Sequence, residues 1–148
     1  MNAIDLLKED HEKVTELFEK LEPTTERAVK KREELFEKLR NELEIHAQIE
    51  EEIFYPALKE SDETRDIVLE SYEEHKIVKQ LLEEMDTLGK ESEEWTAKLT
   101  VLNENVEHHV EEEEGEMFKS ARKVLSKEQL EDLGAQMEAQ KEKLGKAA

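Results

Sequence analysis

The chain has no cysteine, and its 148 residues include only two prolines and four glycines. Without thiols there is no disulfide, no thiolate zinc site and no redox cysteine. So little proline and glycine excludes a sheet protein built on many turns. Basic residues are scarce as well: 22 Lys and Arg stand against 41 Asp and Glu, a formal charge of −19. Phosphate contact needs clustered Lys and Arg, so neither nucleic acid nor an anionic membrane surface is an expected partner. Long apolar runs are missing too, and residues 1–20 carry charges throughout. Neither a signal peptide nor a membrane span is expected, which points to a cytoplasmic protein.

What remains is a chain that is 43% charged and 36% hydrophobic. Disorder is the competing reading of so much charge, but the apolar residues recur at helical intervals along most of the length. Helix one is expected from about Asn2 to Leu21, with Ile4, Leu7, His11, Val14, Phe18 and Leu21 stepping by threes and fours as a heptad seam. Pro23 stops it, and Thr24 or Thr25 can cap the next. Helix two is expected from about Glu26 to Leu58, with Val29, Phe36, Leu39, Leu43, His46, Glu50 and Ile53 near one face and a kink at Pro56.

After a turn capped by Ser61 or Asp62, helix three covers about Glu63 to Leu88 through Val68, Tyr72, His75, Val78, Leu82 and Met85. Gly89 stops it and Ser92 caps helix four, which carries Trp95, Leu99, Leu102, Val106, His109 and Glu113 and bends or ends near Gly115. Ser126 and Gln129 form a capping box opening a shorter helix through Leu130, Leu133, Met137 and Leu144. The expected fold is all-α: an antiparallel up-down-up-down four-helix bundle over residues 1–125, with residues 126–148 packing on the bundle or on a partner. A monomer or weak homo-oligomer is expected.

The histidines follow a repeat. His46 and Glu50 recur as His109 and Glu113, 63 residues on, and His11 recurs as His75, 64 residues on. Each half supplies one histidine from its first helix and a His-x-x-x-Glu pair from its second. Four residues return to nearly the same helix face, so both pairs can converge on one interior point. A single seam histidine is usually a core residue with a hydrogen-bonded partner. Six such residues in phase with four seams are different, because burying them without a cation costs several kcal/mol per unpaired ionised group. His108 also has a glutamate four residues on, Glu112, but it follows Glu104 and Asn105 on a polar face and is expected to be exposed.

Nitrogen and oxygen ligands without sulfur admit Fe, Mn, Zn or Cu. Two glutamates facing each other across a bundle can bridge two cations, which favours a di-metal site with iron first. A ferritin-like site would carry Glu-x-x-His pairs, and no histidine here has a Glu three positions before it.

The stretches "DLLKEDHEKVTELF", "HAQIEEEIFYPAL", "YEEHKIVKQLL" and "HHVEEEEGEMF" resemble the hemerythrin-like, or HHE cation-binding, family over about residues 1–125. The resemblance implies a four-helix bundle around two iron ions, a non-heme diiron centre bridged by oxo or hydroxo and by two carboxylates. It carries ligand roles onto His11, His46, Glu50, His75, His109 and Glu113. Two positions depart from it. Oxygen-carrying hemerythrins have a further histidine one turn before the position matching His75, where this chain has Ser71. Family members also often have a proline where this chain has Lys119. The first departure argues against simple oxygen carriage and leaves water or another side chain to fill the gap, with Tyr72 the candidate.

The leading functional expectation is a diiron protein that binds or reacts with O2 or a related small oxidant such as peroxide or nitric oxide. A peroxidase- or oxidase-type enzyme is the first alternative and would need a proton donor near the iron, again Tyr72. An iron-storage or iron-sensing module is the second.

Overall fold

A computed structural model describes residues 1–147, so Ala148, the end of the predicted C-terminal segment, lies outside the described residues. Every regular element among them is helical: α1 (Ala3–Leu21), α2 (Val29–Ile49), α3 (Tyr55–Lys59), α4 (Asp62–Thr87), α5 (Glu93–Glu112), α6 (Phe118–Val124) and α7 (Lys127–Ala147). Two π turns, Glu50–Phe54 and Glu113–Met117, join α2 to α3 and α5 to α6. α1 packs on α2 and α4 on α5, while α7 lies against α1, α2 and the first π turn.

The caps follow local chemistry. Asn2 Oδ1 accepts from the Asp5 amide at 2.9 Å and Ser92 Oγ from the Trp95 amide at 3.1 Å. Ser126 and Gln129 exchange two bonds, at 2.7 and 3.1 Å, that open α7. Three expected boundaries differ. α2 starts at Val29, not near Glu26, and its N-cap Ala28 has no side chain to offer. The Thr24 hydroxyl is used elsewhere: it accepts from Nε of buried Arg32, whose other nitrogens reach Thr24 O, Lys90 O and Thr96 Oγ1. Gly89 is not a left-handed stop, since no glycine has positive φ; α4 ends at Thr87, one residue before the expected Leu88, which is extended.

The third difference concerns Pro56 and Gly115. The fourth expected helix, begun by α5 and expected to bend or end near Gly115, does not end there. Each helix instead passes through a π turn and continues, with Tyr55 N–H donating to Glu50 O and Phe118 N–H to Glu113 O. Pro56 has no N–H to give and suits the first turn of α3. Lys119 stands at the matching place in the second rod, so proline is not the common cause. Both π turns start at the glutamate of a His-x-x-x-Glu pair, and such single-turn insertions recur at functional sites.

Two apolar clusters fill the interior. One gathers Ile4, Leu7, Phe54, Leu58, Val68, Phe118 and Met137, among others; the second gathers Phe18, Phe36, Leu39, Leu82, Trp95 and Leu102 with their neighbours. Apart from Arg32 and Thr64, which sit near the starts of α2 and α4, the buried polar residues of each long rod fall, in chain order, between the two clusters: Asp10 and His11, His46 and Glu50, Ser71, His109 and Glu113. The molecule thus has a polar layer across its middle.

α7 comes close enough to the chain start that a Cβ at Gly134 would overlap Met1 O, the Asn2 carbonyl carbon and Ala3 N. Only glycine permits that approach. The described helices contain none that is long and apolar enough to cross a membrane.

Candidate metal centre

The polar layer brings the six sequence-selected residues together. Nε2 of His11 lies 3.0 Å from Glu113 Oε1, and Nε2 of His109 lies 2.9 Å from Glu113 Oε2. Glu50 Oε1 lies 3.1 Å from His46 Nε2 and 3.3 Å from His75 Nε2. Each glutamate therefore faces one histidine from each half. The His11 and His46 rings are 5.0 Å apart, and so are the His75 and His109 rings. One ligand atom from each of Glu50, His75, His109 and Glu113 falls within 4.8 Å of the others, and the same holds for His11, His46 and Glu113.

Each of the four inward imidazoles is held from behind by a carboxylate at Nδ1. His11 meets Glu114 at 2.6 Å, His46 meets Asp10 at 2.9 Å, His75 meets Glu51 at 3.1 Å and His109 meets Glu74 at 2.6 Å. An ionised carboxylate only accepts, so Nδ1–H donates and Nε2 is left facing the centre. These four outer partners were not singled out from the sequence, though they obey its repeat. Asp10 and Glu74 precede His11 and His75, while Glu51 and Glu114 follow Glu50 and Glu113.

Burial alone would push the His46 imidazolium down, yet the Glu50 charge and the Asp10 hydrogen bond hold it up to about 10. His109 is treated the same way by burial on one side and Glu113 with Glu74 on the other, and stands at about 11. Burial would likewise raise the Glu113 carboxyl, but His109 and His11 hold it well below the usual carboxylate range.

The donor set fits a metal better than it fits itself. Glu50 is fully buried, and neither of its oxygens has a hydrogen-bond partner, nor does His46 Nε2. His46 Nε2 and Glu50 Oε1 are within ion-pair distance at 3.1 Å, yet no hydrogen bond joins them. Leaving such atoms bare costs about 1–3 kcal/mol for each ordinary polar group and more for a charged one. Cations between the two histidine pairs would satisfy all of them.

Tyr72 is not the tyrosine at this site. It is half-buried, and its ring packs edge-on against Tyr55 at 5.4 Å. The Tyr55 hydroxyl reaches the centre, donating to Glu113 Oε2 at 2.6 Å and lying 3.3 Å from His75 Nε2 and 3.4 Å from His109 Nε2. Ser71 is buried with its side chain in hydrogen-bonding reach of Tyr55. The space left by serine at position 71 is thus taken by a phenol from the neighbouring rod. Burial first, then the charges of Glu113 and Glu50, keep that phenol well above its ordinary range, so it remains a donor.

His108 points outward, its side chain 65% exposed, and pairs with Glu112 at 3.1 Å. Together with Glu74, which also holds His109, these two form a partly exposed acidic group on the outer side of the layer. A cavity of about 730 Å³ reaches all four inward histidines; Val14, Leu43, Val78, Leu82 and Val106 line it, with Arg40, Lys76 and Glu83 among its charged residues.

This arrangement of histidines and glutamates on helices is that of a cation-binding helical domain. The chain belongs to the family described as the hemerythrin HHE cation binding domain, whose model matches residues 2–121. Among solved structures, it is similar to a hemerythrin HHE cation binding domain-containing protein from Mycobacterium kansasii. The two are 27% identical with a TM-score of 0.87, over 99% of this chain and 89% of that one. No curated protein matches it in sequence.

Proposed function

We propose that the polar layer holds two iron ions, one on His11 and His46 and the other on His75 and His109, with Glu50 and Glu113 bridging them. The protein then binds or reacts with O2 or a related small oxidant, peroxide or nitric oxide included. The same reading takes residues 1–125 as an antiparallel up-down-up-down four-helix bundle, with α7 as an added element. The observation that carries it is the inward set itself: both Glu50 oxygens and His46 Nε2 are buried without a hydrogen-bond partner. Oxygen-rich bridging with imidazole ends suits iron among the metals that nitrogen and oxygen donors admit.

When bound, such a centre supplies electrons and an open coordination position to a small oxidant. The chain's own residues do the rest. Asp10, Glu51, Glu74 and Glu114 fix the ring orientations. Phe54 and Phe118 wall the layer on one side and keep bulk water out. Tyr55 holds a proton on its hydroxyl oxygen, aimed at Glu113 Oε2.

That proton favours turnover over reversible carriage, since reduction of an oxidant consumes protons. An oxidase- or peroxidase-type reaction is accordingly the second reading, with Tyr55 in the place first expected of Tyr72. Iron analysis of loaded protein tests the first proposal: two irons per chain are expected, and one or none contradicts it. Peroxide consumption at steady state, set against the lifetime of the O2 complex, separates the two readings.

A further inference from the structure

We infer that Lys141 on α7 is a positioning residue for the centre: through Asp10 it holds His46, and so the C-terminal helix governs how tightly the His11–His46 side keeps its ion. The inference rests on the metal reading above. It starts from a difference among the four outer carboxylates. Glu114, Glu51 and Glu74 have side chains 38%, 42% and 26% exposed, so water shares their charge. Asp10 is 1% exposed. Its Oδ2 accepts from His46 Nδ1 at 2.9 Å, and its Oδ1 is taken by Lys141 Nζ.

A ligating imidazole is neutral and gives Asp10 one N–H but no charge. A carboxylate this deeply buried needs a cation, and removing the partner of a buried charge is among the more disruptive changes a protein can suffer. Lys141 is the cation within reach, and with 26% of its side chain exposed it keeps part of its hydration. Without it, Asp10 would turn toward the groove between α1 and α7 that Lys141 lines, and the His46 ring would lose its stop.

The helix is placed to do this. Gly134 permits close approach to the chain start, Met137 is fully buried, and Lys141 stands one turn further along the same face. A lysine on a packed face is costly unless it has a partner there. The device is one-sided. Glu74, which matches Asp10 in the repeat, has no lysine partner among the described residues and meets Glu112 instead. α7 also lies beyond the residues 2–121 that the family model matches.

The test is competition by a chelator for iron in anaerobically loaded, full-length protein. Lys141→Met should release one of the two ions about 10–100-fold more readily, the range for losing an outer partner, and hold the other as the wild type does. Lys141→Arg should recover the wild-type value to within about threefold. Asp10→Asn should reproduce Lys141→Met, and the double variant should be no worse than Asp10→Asn, since the two act in series. Equal retention by Lys141→Met and wild type, or additive losses in the double variant, overturns the inference. A wild-type chain that takes fewer than two ions overturns the diiron reading instead. In that event the His46 Nδ1 proton of ¹⁵N-labelled, metal-free protein still decides: Lys141→Met should shift it and leave that of His109 in place, and an unmoved His46 signal overturns the latch.

Discussion

On one side of the polar layer His11 stacks on Phe118, rings 6.1 Å apart and 6° from parallel, and His46 leans on a buried aspartate neutralised from α7. On the opposite side His75 lies 5.4 Å from Tyr55, and both outer carboxylates are open to water. Phe118 and Tyr55 are 63 residues apart and match in the repeat, as do Leu7 and Ser71 at 64. One pair of substitutions therefore converts an apolar wall into a hydroxyl directed at Glu113. The repeat builds two equivalent pairs of inward histidines, and three residues outside them make the pairs unequal. On the proposed reading, the phenol side is the one equipped for proton-coupled chemistry and the aspartate side the one equipped to hold.

Changing a residue common to both sides should have the largest effect. Glu113→Ala removes the partner of His11, His109 and Tyr55 together. Both ions should be lost, with affinity falling more than ~100-fold, beyond what an outer partner is worth. His46→Ala should weaken one ion far more than the other, and His108→Ala should leave metal content unchanged. Metal analysis after dialysis ranks the three, and a His108 effect matching that of His46 would undo the separation of inward and outward faces.

Removing metal from the whole layer comes next. Binding to the folded state alone stabilises by about 2.7 kcal/mol when free metal is 100-fold above Kd. For a domain near this size that is a drop of roughly 5–10 °C in Tm on chelation. Most helical circular dichroism should remain below the transition, because the apolar clusters on either side of the layer involve no metal. Identical melting curves with and without chelator would place the site at the surface.

Proton traffic distinguishes the metal-free from the loaded layer. In the metal-free chain His46 and His109 are raised to about 10 and 11, so both are protonated at pH 7. Their pairs with carboxylates stabilise the fold fully below the unfolded value of about 6.5, and that contribution disappears as pH climbs through about 10 to 11. Metal must displace these protons. Uptake at pH 7 should release at least two per chain, measurable by calorimetry in buffers of different ionisation enthalpy, and affinity should strengthen as pH rises. Uptake without proton release would contradict the imidazolium–carboxylate pairs.

The smallest expected effect equalises the two sides. Tyr55→Phe copies Phe118 and removes one hydroxyl. Metal content should persist while reaction of the reduced protein with peroxide slows about tenfold or more, within reach of a lost general acid. Stopped-flow mixing reads the rate; an unchanged rate with both ions in place would remove Tyr55 from the chemistry. Ser71→His would not simply supply a further imidazole, because the side chain at position 71 meets Tyr55.

Much of this was legible in the sequence, and the parts that were not share a cause. The seams and the inner six residues could be read because helical period and internal repeat point to the same positions. The outer carboxylates carried the same repeat, but each stands beside further acidic residues and reads as solvated surface. Tyr55 was hidden by phase. In an unbroken α-helix, position 55 lies well off the face of Glu50, and the π turn brings it over Glu50 through an i→i+5 bond. With that turn unrecognised, Tyr72 was the aromatic in phase. Lys141 was hidden by distance along the chain, since its partner is 131 residues away. Nothing in the period of α7 says which residue of α1 it will meet.

The central claim is a bridged pair of irons in unequal surroundings, and Mössbauer spectra of ⁵⁷Fe-loaded, oxidised protein test it most directly. The account expects two quadrupole doublets of equal area with different splittings, and no magnetic pattern at low temperature because the bridged ions couple. A single magnetically split spectrum from one isolated ferric ion per chain would contradict it.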